Sequence, residues 1–276
     1  MTTLLPLALM IMQVGIDPNG GRVPGIPEEL RQRPPRKATP DAAPAPNPPP
    51  PKLASCLAAV PGSSAEAVAT ATAWLAQAKG AERAHAGHCL GVAQAERAEW
   101  RAASVSFAAA RDAVPARDTA YRARLGALAG ATALAAGDAA NALTLLDAAR
   151  TDAGSGALAG EIAIDRARVL VALGRMAEAR LALGEARAGN PADAEAWLLS
   201  ATLARREGHL SAAQQHIERA ATLAPRDPAI GLEAGVIAAL DGKDAAARAS
   251  FESVIALAPD SEQASAAKAY LAQFKP

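Results

Sequence analysis

Three prolines constrain this chain more than any other feature. Pro191, Pro225 and Pro259 are spaced by 34 residues and then by 34 again. Proline has no amide hydrogen and its ring clashes with the preceding turn, so each one ends a helix. The residues between them repeat as well. Trp197, Ala201, Gly208, Ala213, Ile217 and Ala220 precede Pro225, and Gly235, Gly242, Ala247 and Phe251 precede Pro259. Looser copies lie upstream. One carries Leu90, Gly91, Ala103, Phe107, Ala110 and Pro115. The next carries Gly130, Gly137, Ala142, Leu146 and Ala149, and the third Ala167, Gly174, Ala179, Leu183, Ala186 and Pro191. Hydrophobic residues make up 51% of the chain and aromatic ones only 3%. Alanine supplies most of that excess and loses no side-chain entropy in a helix, so every repeat reads as helical.

The spacing predicts a helix, a tight turn and a second helix in each copy. Gly137, Gly174, Gly208 and Gly242 fall at the turn, where a left-handed backbone is inexpensive only for glycine. Ala98 takes that place in the first copy. Asp138, Ser211 and Asp244 follow and are expected to cap the second helix. Phe107, Leu146, Leu183, Ile217 and Phe251 are the large side chains expected to fill the space between neighbouring repeats.

This period and pattern resemble the tetratricopeptide repeat, with signature W-x2-L-G-x2-Y, then A-x3-F, then a closing P. Five copies are counted, near 84–117, 123–156, 160–193, 194–227 and 228–261. The Tyr position of the signature is missing; Leu170 or Ala occupies it. The resemblance implies an all-α fold, a right-handed α-solenoid of stacked helix-turn-helix repeats. Residues 52–80 read as a degenerate N-terminal helix pair in which Trp74 and Leu75 cover the first repeat. Residues 262–276 read as a C-terminal capping helix. Solenoids require closed ends.

The first 51 residues are a different polymer. Leu4–Ile16, within an apolar segment 1–16, has the length of a secretory signal core. No Lys or Arg precedes it and no small-x-small cleavage site follows, so a short hydrophobic tail or a misassigned start stands beside export. Residues 17–51 are proline-rich and read as a disordered linker. Arg31, Arg33, Arg36 and Lys37, partly balanced by Glu28 and Glu29, read as solvated. Leu53-Ala54-Ser55-Cys56 spells a lipoprotein box. The thirty-odd residues before it are proline and charge rather than an apolar core, so the match is read as chance.

The repeat register gives Cys56 another use. It and Cys89 occupy like helices of adjacent pairs, which stack side by side, so a disulfide between them is geometrically allowed. Two buried free thiols are the alternative. An oxidised pair would agree with export to the periplasm. His85, His88 and Cys89 have same-face helical spacing and metal-binding side chains, but no fourth ligand is evident; they are a weak metal candidate. His209 and His216 read as surface residues. Gly154–Gly160 has the wrong spacing for a dinucleotide loop and joins two repeats. Asp193 and Glu195 read as helix-start charges.

The resemblance implies protein or peptide binding in a concave groove lined by the first helices, and no catalysis. His85, His88, Arg124, Arg168, Leu198, Arg205 and Arg206 are the groove candidates, with Glu96, Leu134, Glu161, Ile164, Val171, Glu195, Thr202, Leu232 and Val236 around them. Arg168, Arg205 and Arg206 are expected to grip a carboxylate. The Asn and Lys set of chaperone-binding members is not recognisable. Lys plus Arg number 28 and Asp plus Glu number 28. Nucleic acid, which demands a basic surplus, is therefore not expected as a partner. No apolar run reaches membrane-spanning length. No cofactor is expected. A non-catalytic scaffold in the bacterial envelope is the first reading, and a cytoplasmic assembly factor of a secretion or pilus system the alternative.

Overall fold

The computed structural model describes residues 49–274; the apolar segment and nearly all of the linker lie outside them. The described residues form helices and connecting turns, with no strand among them. An entry pair, α1 (Pro51–Ala59) and α2 (Ser64–Gln77), is followed by α3 (Glu82–Glu96) with α4 (Trp100–Ala113), and α5 (Thr119–Ala135) with α6 (Ala139–Ala153). Next come α7 (Ala157–Ala172) with α8 (Met176–Gly189), α9 (Ala194–Arg206) with α10 (Leu210–Leu223), and α11 (Pro228–Leu240) with α12 (Asp244–Leu257). A single helix, α13 (Glu262–Leu271), closes the array. Each helix packs chiefly on its sequence neighbours, which makes this a solenoid rather than a closed globule.

The turns inside the pairs share one geometry. Gly137, Gly174, Gly208 and Gly242 have φ of +83°, +73°, +79° and +73°, and Ala98 has φ of +56°. The amide after each of them donates back over the turn. Glu99 reaches the Gln94 carbonyl at 2.9 Å, Arg175 that of Leu170 at 2.8 Å and Lys243 that of Ala238 at 2.9 Å. This is the Schellman arrangement, which satisfies carbonyls that the helix end leaves open. Ala98 holds it against a left-handed cost of about 1–2 kcal/mol.

Capping departs from expectation. The residue directly after the turn is the cap of the second helix, and only Asp138 accepts there, from the Asn141 amide. Ser211 lies inside α10 and Asp244 inside α12, one residue or more too late. His209 and Lys243 hold those cap positions without a side-chain acceptor. The stronger caps stand at the other helices. Asp118, Asp193, Asp227 and Ser261 accept from the amides of Tyr121, Glu195, Ala229 and Ala264.

The core is a series of small clusters, each confined to neighbouring pairs. Phe107, Leu146, Leu183, Ile217 and Phe251 are all at most 2% exposed. Their seats are made by small residues on the preceding helix. A methyl added at Gly235 would lie 2.4 Å from the Phe251 ring, at Gly130 2.5 Å from Leu146, and at Gly91 2.7 Å from Phe107. Gly154–Gly160 serves the same end by backbone contact: a side-chain atom added at Gly189, at the end of α8, would meet the Gly156 carbonyl at 2.8 Å.

Candidate functional site

The first helices of the pairs carry the expected groove residues, and the structure divides them sharply. Arg168, 8% exposed, donates to Asp165 at 2.7 Å and to Glu195 across the α7–α9 interface. Arg205 forms a two-pronged pair with Glu233 of α11, at 2.6 and 3.2 Å. Both arginines are therefore spent on tying neighbouring repeats together, which corrects the expectation that they present free guanidinium groups to a ligand. Ile164 and Leu232 also turn inward, at 1% and 8% exposure. Leu198 is half-buried on the α9–α11 cluster, and Arg124 is exposed on α5.

Arg206 is different. It is exposed in the last turn of α9 and makes no ion pair among the described residues. Beside it lies a cleft of about 310 Å³ between α7 and α9. Ala167, Leu183, Leu199 and Leu203 form its apolar floor, while Val171, Thr202, Arg206 and the engaged Arg168 complete the lining. The volume lies at the low end of the range for ligand pockets. Its chemistry is an aliphatic seat with one cation at the rim.

The His85, His88, Cys89 grouping does not assemble as a metal site. Cys89 is fully buried and faces Cys56 of α1, with the sulfurs at bonding distance and a Cα–Cα separation of 6.2 Å. His88 shares a 3.0 Å hydrogen bond between Nδ1 and the Tyr121 hydroxyl, and its ring rests near Phe107 and Tyr121. Burial, helped by the nearby His85, lowers the His88 pKa to about 4. Burial in turn raises that of Tyr121. His85 packs beside Tyr121. Among the described residues no three His, Cys, Asp or Glu side chains gather as metal ligands.

Several clusters carry no sequence signal because their members are far apart in the chain. Asp152 receives both Arg111 and Arg122. The Trp74 indole donates to Glu82 at 2.6 Å while Lys52 bonds the same carboxylate and sits 4.4 Å over the indole ring. His216 is not a surface residue: it packs against Trp197, whose other neighbour is the Arg187 guanidinium. Burial, with Arg187 adding to it, lowers the pKa of His216.

No protein-family model matches the chain, and no curated protein matches it. Solved structures do. The array is similar to PilF of Pseudomonas aeruginosa, with a TM-score of 0.62 at 17% identity over 79% of this chain and 95% of that one. It is similar to MamA of Desulfovibrio magneticus RS-1, with a TM-score of 0.54 at 17% identity, covering 65% and 97%. YrrB, described as a TPR protein with an unusual peptide-binding site, aligns with a TM-score of 0.50 at 20% identity, covering 66% and 90%. The fold is that of the tetratricopeptide-repeat proteins, an all-helical array. Among the described residues no helix is long and apolar enough to cross a membrane.

Proposed function

We propose that this protein is a non-catalytic scaffold that binds a protein or peptide through the face of α7 and α9, in the bacterial cell envelope. The observation that carries the reading is the apolar cleft with Arg206 at its rim. It is an open seat on an otherwise closed surface, in a fold whose stacked helices offer extended binding faces. YrrB, which shares the fold, is described by its peptide-binding site, and that supports the same use here. The envelope placement is supported by the Cys56–Cys89 geometry, which suits a disulfide and so an oxidising compartment. The bond would join α1 to α3.

Affinity capture from an envelope extract tests the binding face. Val171→Glu with Thr202→Lys, both at partly exposed positions, should abolish capture while the helical circular dichroism stays intact. Equal capture by the variant would remove the cleft from the function. Sequencing the N-terminus of the native protein tests the placement. A mature chain that begins after the apolar segment is expected, and an uncleaved cytoplasmic chain would favour the assembly-factor alternative.

A further inference from the structure

The cleft asks for two things at once: an aliphatic side chain for its floor and a carboxylate for Arg206. The chain itself carries such a segment. Between residues 18 and 50 the only large aliphatic residues are Val23, Ile26 and Leu30, and the only acids are Glu28, Glu29 and Asp41. They coincide in one place, Ile26-Pro27-Glu28-Glu29-Leu30. We infer that this stretch of the N-terminal segment is an internal ligand for the α7–α9 cleft, with Ile26 or Leu30 against Leu199 and Leu203 and a Glu28 or Glu29 carboxylate on Arg206.

Reach permits this. From α1 to the α7–α9 cleft the path crosses between three and four helix spacings, roughly 30–40 Å at 8–10 Å each. Residues 31 to 50 can span about 60 Å if they run as a proline-rich spacer at about 3.1 Å per residue. Tethering also supplies a local concentration on the order of 1 mM. Even a contact with a dissociation constant of about 0.1 mM would then be mostly formed, and an outside peptide would compete about tenfold less well. The consequence is regulatory: a partner with a better aliphatic–acidic motif must displace the chain's own. The inference rests on the cleft being a peptide seat, as proposed above.

The test uses full-length chains and one probe, a fluorescein-labelled peptide of residues 22–31 read by anisotropy. Against wild type it should bind weakly. Against a chain carrying Ile26→Ser, Glu28→Lys, Glu29→Lys and Leu30→Ser it should bind about tenfold more tightly. Adding Arg206→Glu should remove that gain, and adding Arg124→Glu should leave it. Equal affinity for wild type and the four-substitution chain would overturn the inference, as would binding insensitive to Arg206→Glu or no binding to any chain. Partner capture on the same chains separates this from the scaffold reading. Capture that needs Val171 and Thr202 but is unchanged by the four substitutions would leave the scaffold standing and the internal ligand refuted.

Discussion

The two ends of the array meet the same problem with different chemistry. An interior repeat is covered on both sides by copies of itself, whereas a terminal one must find a cover that the pattern does not provide. At the C-terminal end the cover is aromatic. Tyr270 stacks on Phe251 with centroids 5.3 Å apart, Phe274 tilts against the same ring, and the Arg248 guanidinium lies over Phe274. At the N-terminal end aromatic contact is replaced by latches. Cys56 faces Cys89, and Lys52, Trp74 and Glu82 form one cluster that joins α1, α2 and α3. The comparison teaches that a short helix such as α1, with Leu53 as its one fully buried side chain, needs linkage where α13 manages with packing.

The sharpest way to break this contrast is at Phe251. Phe251→Ala empties a fully buried seat and removes the ring that holds α13, at a cost of about 3–5 kcal/mol. Denaturant titration should read that loss, with hydrogen exchange in α13 rising first. The matching perturbation at the other end is reduction. A loop closed over a 33-residue separation is worth about 3–4 kcal/mol in the chain-entropy picture. Reductant should lower the thermal midpoint of the wild-type chain and leave that of a Cys56→Ser, Cys89→Ser chain unchanged. Exchange protection should fall in α1 and stay constant in α13.

Acid should act on the N-terminal half. His88 has a folded pKa near 4, below its unfolded value. The unfolded chain therefore takes up the proton first, so the stabilisation is complete above pH 6.5 and is lost as pH falls towards 4. The loss is roughly 2–3 kcal/mol. Glu82, lowered first by the Trp74 hydrogen bond and then by Lys52, acts in the same direction below its ordinary range. His88→Gln should flatten the dependence of stability on pH between 6.5 and 4; an unchanged slope would place the sensitive group elsewhere. The smallest effect is a gain. Ala98→Gly relieves the left-handed strain of the first turn and should raise stability by about 1 kcal/mol. The corresponding Gly208→Ala should lower it by a similar amount, and thermal melts of the two variants check the pair.

What the sequence reveals is what recurs. The turn glycines, the substitution of Ala98 among them and the five large core residues follow from a period that every copy repeats. The partners of Arg168 and Arg205 do not follow, because Glu195 and Glu233 sit on the next repeat, 27 and 28 residues away, and no local pattern announces a pair that crosses an interface. Ile164 and Leu232 were misplaced for a related reason. Helical periodicity identifies the faces of a helix, but the angle at which the next repeat leans decides which face is covered. The caps slipped by a residue or more because the Schellman turn starts the second helix directly after the left-handed position. The cleft itself was half legible: Val171, Thr202 and Arg206 were in the register, while the floor from Leu183 of α8 was assigned only to the core.

Serial cores make length a free variable in this molecule. Gly208 and Gly242 stand at the same point of the same turn, 34 residues apart. Excising the chain between them, or copying it in, changes the number of modules and leaves the type of every junction as it was. Such a protein can be shortened or extended to suit the size of what it holds, by duplication alone.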